Sequence, residues 1–132
     1  MREGGTNVTS EIRRITRDEL GGDSAPTPGM TRRSAVAREG LWSGLVTAAP
    51  SMASGWHHHG DNDTVIYVLE GSLRFEFGPG GGRSAEGSAG DFVHVPARLV
   101  HRESNPQDRE ARLVITRAGS GPATVNVEGP ES

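Results

Sequence analysis

Five histidines carry most of the chemistry this sequence offers, and three of them are consecutive: His57, His58 and His59. A neutral imidazole binds a metal through one ring nitrogen. Side chains two apart on a strand share a face, so His57 and His59 point together and His58 points away. Two imidazoles on one face can grip a metal, but donors from elsewhere must complete its coordination. His94 and His101 are the other histidine candidates. Glu103 lies two residues after His101 and shares its face on an extended segment, as a catalytic base or a fourth ligand. Asp61 and Asp63 are further carboxylates near the run. Trp56, beside the pair, is a candidate wall for a substrate pocket. The competing reading is a solvated loop, since Gly55 and Gly60-Asp61-Asn62-Asp63 flank the histidines.

The elements that must position these residues are short. The chain has 132 residues, 33% of them hydrophobic, with 19 Gly and 8 Pro. Glycine and proline weaken helix interiors, so this composition suits many strands joined by tight turns. Thr31–Arg38 and Leu41–Ala48 flank a hairpin junction at Glu39-Gly40. Thr64–Glu70 is a dense β-branched and aromatic run. Leu73–Phe77 alternates with period two. Asp91–Val95, Ala111–Arg117 and an edge at Thr124–Val127 complete the pattern, about eight to ten strands. Gly78–Gly82 reads as a flexible loop. The organisation expected is an N-terminal arm over 1–29, a β-domain over 30–128 and a tail over 129–132. Within the arm, 1–7 reads as loose, Glu11–Thr16 as a strand or one helical turn, and Pro26 and Pro28 as breakers.

The net charge of −3 leaves no basic footprint for nucleic acid or an anionic membrane. The absence of cysteine removes disulfides, thiolate nucleophiles and Cys-type zinc sites. With no leader pattern and no apolar run of spanning length, a cytoplasmic protein is expected.

Two segments resemble a known family. Gly55-Trp56-His57-His58-His59, four residues, Thr64, six residues and Gly71 are similar to the first motif of the cupins. Gly90-Asp91-Phe92-Val93-His94-Val95-Pro96, then His101 and Asn105, resemble the second. The resemblance implies an all-β double-stranded β-helix, a jelly-roll barrel, with an extended N-terminal arm. It also implies a metal held by His57, His59 and His101, which sets His94 aside. A homodimer is implied too, and the extended arm offers a segment for strand exchange.

The sequence departs from the pattern in two places. Thr64 stands where the first motif carries a glutamate ligand, so a neutral hydroxyl, a substrate contact or plain strand filling replaces a carboxylate. Three neutral imidazoles would leave a divalent metal its full charge, which favours anionic substrates and acidifies bound water. Arg98 stands where the second motif carries a glycine that often serves a positive-φ turn, which predicts a different turn or an arginine over the barrel mouth. The cofactor expected is one divalent transition metal: Fe, Mn, Ni, Zn or Cu. The function expected is a metal-dependent oxygenase, or a Lewis-acid lyase or isomerase, acting on a small and plausibly anionic molecule. The rival is a non-catalytic metal or metabolite binding module. A metal-free fold using one histidine as base is a third reading, but one base does not need three convergent imidazoles.

Overall fold

Alternating inward and outward side chains organise the computed structural model, which describes residues 11–22 and 27–131. Ten strands form: β1 (Met30–Arg38), β2 (Leu41–Ala48), β3 (His57–His58), β4 (Asp63–Glu70), β5 (Ser72–Phe77), β6 (Arg83–Ser88), β7 (Phe92–Val95), β8 (His101–Ser104), β9 (Ala111–Ala118) and β10 (Val125–Asn126). They make two five-stranded sheets, in the orders β1-β2-β9-β4-β7 and β10-β3-β8-β5-β6. All pairings are antiparallel. This is the all-β barrel that the strand pattern and the motifs predict.

The hairpin at Glu39-Gly40 forms as expected, with Arg38 opposite Leu41. β6 and β8 were not legible as strands, because Arg83–Ser88 and His101–Ser104 are almost wholly polar. β6 is a largely exposed sheet edge, where polar residues cost little and discourage further pairing. Gly87 is its buried residue. A Cβ there would come within 2.7 Å of the Val93 side chain, so glycine allows β6 to close against β7.

Burial is divided along the barrel. Met30, Val46, Ala48, Ile66, Val68, Leu73, Phe75, Ala111, Leu113 and Ile115 fill one end and the middle. The buried polar side chains His57, His59, Thr64, His101, Glu103 and Arg117 gather toward the other end. Asn105, from the second motif, is a structural tie. Its amide donates to the Ala48, Ala49 and Arg109 carbonyls and accepts from the Gln107 N–H.

The arm corrects one expectation. Glu11–Thr16 forms neither strand nor helix, and Ile12 is fully exposed. The single turn comes later, as a 3₁₀ turn at Arg17–Glu19. Glu19 sets it there by accepting hydrogen bonds from the Thr16 N–H and hydroxyl, while its own N–H donates to the Thr16 carbonyl. Gly21 then donates to the Ser34 carbonyl on β1. The stretch at 1–7 and Pro26 lie outside the described residues.

Candidate metal centre

His57 and His101 are direct cross-strand partners on β3 and β8, and such pairs place side chains about 4.5–5.5 Å apart on one face. Their ring centroids are 4.5 Å apart. His59, just beyond β3, brings its ring to 5.2 Å from His57 and 5.0 Å from His101. All three are buried, and one ring nitrogen from each lies within 4.8 Å of the others.

Each ring is held in the same sense. Nδ1 of His57 lies 3.0 Å from the Gly55 carbonyl, Nδ1 of His59 2.8 Å from that of Ala123, and Nδ1 of His101 2.9 Å from that of Leu99. A carbonyl oxygen only accepts, so each Nδ1 carries its proton. In the neutral ring the lone pair is then on Nε2. This backing is what metal-binding histidines use to fix tautomer and direction.

Glu103 faces the cluster. Oε1 lies 3.5 Å from His57 Nε2 and Oε2 3.6 Å from His101 Nε2. Its backbone is clamped to Ser54: the Glu103 N–H donates to the Ser54 hydroxyl, and the Ser54 N–H to the Glu103 carbonyl. Burial would push this carboxyl up, but contact with His101 and His57 more than reverses that and holds it well below the usual carboxylate range. Burial likewise pushes His57 down, and Glu103 outweighs it, so the His57 pKa is raised. His59 is the opposite case. Burial, the Arg117 charge and His101 lower its pKa to about 3 and keep it neutral.

These donors fit a metal. His101 Nε2 is buried without a hydrogen-bond partner, an arrangement that costs about 1–3 kcal/mol unless something else satisfies the lone pair. Two donors each ~2.1 Å from a tetrahedral ion sit about 3.4 Å apart. The convergent set is the three imidazoles, and Glu103 approaches two of them, His57 and His101, at separations that match such an edge.

The remaining sequence candidates go elsewhere. His58 Nδ1 accepts from the Gly60 N–H. His94 lies 2.9 Å from the Asp63 carboxylate on the exposed surface. Thr64 is buried on the opposing sheet, where its hydroxyl accepts from Arg117 Nε at 3.0 Å. Trp56 alternates with the inward His57 and so faces outward. It stacks under Arg102, 4.4 Å from guanidinium carbon to ring centroid, and packs near Gly81 and Gly129. Arg98 corrects the expectation of a different turn. Its φ is +66°, so the left-handed turn is kept with a non-glycine residue, and its N–H donates to the Gly60 carbonyl.

Asn62 was not picked out from the sequence. Its buried amide donates to the His59, Ser120 and Pro122 carbonyls, which fixes the loop that presents Ala123 to His59. The signal available was an asparagine within a Gly-Asp-Asn-Asp turn. A largely apolar cavity of about 450 Å³ is lined by Phe75, Phe77, Val93, Val95 and Leu99, with His94 and His101 also on its wall.

Residues 44–117, spanning both histidine segments, match the cupin domain family. The chain is a cupin. Its fold is shared with an uncharacterised double-stranded β-helix protein from Klebsiella pneumoniae, at 19% identity and TM-score 0.69, over 89% of this chain and 99% of that one. It is shared with the polyketide cyclase RemF of Streptomyces resistomycificus at 20% identity and TM-score 0.72, over 89% and 86%. KdgF from Halomonas sp. superposes at 17% identity and TM-score 0.68, over 84% and 96%. At these identities the likeness is one of fold. No curated protein matches by sequence. Within this cupin the interior carboxylate comes from β8, as Glu103, and the first-motif position carries Thr64.

Proposed function

We propose that this cupin binds one divalent transition metal through His57, His59 and His101, with Glu103 as fourth donor, and acts on a small organic molecule. The observation that carries this is the common backing of the three rings, which leaves three Nε2 lone pairs convergent and one of them without a partner. A metal so held supplies Lewis acidity or, if redox-active, electron transfer. Glu103 serves better as a donor than as a base. Both its oxygens face imidazole nitrogens, and a carboxylate held below the ordinary range is a weak proton acceptor near neutral pH. The largely apolar cavity offers room for a small molecule on the His101 side.

The test is metal analysis of tag-free protein, then zinc and nickel titration of the wild type and of His101→Ala. One metal per chain is expected in the wild type, with at least a ~100-fold loss of affinity in the variant. Failure of carefully prepared wild type to bind any metal would overturn the proposal. Turnover screening of loaded protein, with His101→Ala as control, separates an enzyme from a binding module.

A homodimer belongs to the same proposal. Val65, Leu69 and Phe92 are exposed on the outer face of the β4–β7 pair, and Tyr67 and Phe92 stack at 4.8 Å. That surface supports pairing with a second copy. Light scattering is expected to give twice the chain mass, and Phe92→Glu to halve it. A monomeric wild type at working concentration refutes it.

A further inference from the structure

The wall facing the histidines carries charge the metal site does not use. Arg117 closes the inward series Ala111, Leu113, Ile115 on β9 and is only 5% exposed. Its Nε is taken by the neutral Thr64 hydroxyl, and its terminal nitrogens form no ion pair among the described residues. Arg32 on β1 is half-buried, with its guanidinium carbon 6.0 Å from the centroid of the Trp42 ring. A Cβ at position 44 would come within 2.9 Å of that ring and collide with the Arg33 carbonyl. Glycine there is what lets Trp42 and the β1 edge fold inward.

Both guanidiniums act on the cluster across the barrel. The Arg117 charge is felt at His59, the Arg32 charge at His57, and both are felt at Glu103. Burial and the Arg32 charge, only partly offset by Glu103, lower the Arg117 pKa to about 10, so it stays charged at neutral pH. A buried charge is costly unless paired. Here two guanidiniums face one carboxylate, and that carboxylate is turned to the imidazoles. Arg117 also borders a second cavity of about 380 Å³, shared with Trp42, Asn62 and Ala123, the residue that anchors His59.

We propose that Arg117 and Arg32 form an anion subsite beside the three imidazoles, and that the molecule this cupin acts on carries a carboxylate. This deepens the metal-site reading and rests on it for the word "acts". A carboxylate suits the free edge of a guanidinium. The cavity that Arg117 borders, walled on one side by the Trp42 ring, suits the organic body behind it. Phosphate sites commonly add a helix N-terminus or a nest of backbone N–H groups, and the described residues contain no α-helix.

The experiment is calorimetric titration of the zinc-loaded full chain with benzoate, benzamide and inorganic phosphate. It is repeated on Arg117→Gln and Arg32→Gln and on metal-free protein. Benzoate is expected to bind at least tenfold more tightly than benzamide and than phosphate. Either substitution is expected to weaken benzoate at least tenfold with zinc stoichiometry unchanged. If Arg117→Gln does not fold, Arg32→Gln and the charge-conserving Arg117→Lys carry the test, with Arg117→Lys expected to retain most of the benzoate affinity. Equal benzoate affinity in the folded glutamine variants overturns the subsite, as do benzamide binding as tightly as benzoate, phosphate binding more tightly, and no benzoate binding at all. Arginine-dependent benzoate binding by a protein that takes up no zinc supports the subsite and refutes the metal site, so the two failures are distinguishable.

Discussion

The two inner walls of the barrel are built on different principles. On the sheet containing β3 and β8, the site is tied down: three imidazoles by backbone carbonyls, and the Glu103 backbone by a reciprocal clamp with Ser54. On the sheet containing β1, β4 and β9, two cations lie among apolar side chains, and Arg117 donates from Nε to the neutral Thr64 hydroxyl. The first wall fixes the direction in which each ring points. The second sets the electrical environment, which falls off slowly in a low-dielectric interior and tolerates looser placement. Geometry and charge are thus assigned to separate sheets.

That division can be broken or sharpened by substitution. Leu113→Ala removes a fully buried side chain from the β9 wall. It is expected to cost about 2–5 kcal/mol of stability, read by urea denaturation of metal-free protein, while zinc stoichiometry stays at one. Loss of zinc binding in the folded variant would show that the walls are not separable. A pH series probes the other wall. The His57 pKa is raised above its ordinary 6.5, so His57 takes a proton while the pH is still near neutral, and that proton competes with metal. Zinc affinity is expected to be full above that pKa and to fall by about tenfold per pH unit below it. His59, neutral down to about pH 3, adds nothing in that window. Affinity unchanged between pH 7.5 and 5.5 would contradict the Glu103–His57 contact.

Smaller effects refine the picture. Asn62→Ala frees the loop that presents Ala123 and is expected to weaken zinc about tenfold by leaving His59 free to turn. Its melting temperature distinguishes this from general destabilisation. Arg98→Gly removes a left-handed non-glycine residue and an exposed ion pair with Asp61. These oppose each other, since a left-handed φ strains a non-glycine residue and a fully exposed pair contributes little. A small net gain in stability is expected in the same denaturation assay, with zinc affinity unaltered.

The ligand wall was readable in the sequence because its signal is local. Period two pairs His57 with His59, and motif spacing brings in His101 from a distant segment. The charged wall was harder. Arg117 reads as the last residue of an ordinary strand, and whether it points in or out turns on a register that one residue reverses. The parity of Ala111, Leu113 and Ile115 pointed inward, but Val114 blurred the alternation. Arg32 stands within Thr31-Arg32-Arg33-Ser34, a polar stretch with no apolar alternation to mark its inward face. β6 and β8 were invisible because polar strands carry no hydrophobic period.

The anchoring carbonyls also differ in how far they lie along the chain. His57 and His101 each lean on a residue two positions upstream. His59 leans on Ala123, 64 positions downstream. During synthesis, then, two rings find their backing soon after they are made, while the third waits for the segment after β9. The three-ring cluster is thereby completed only once that segment has been made and has docked.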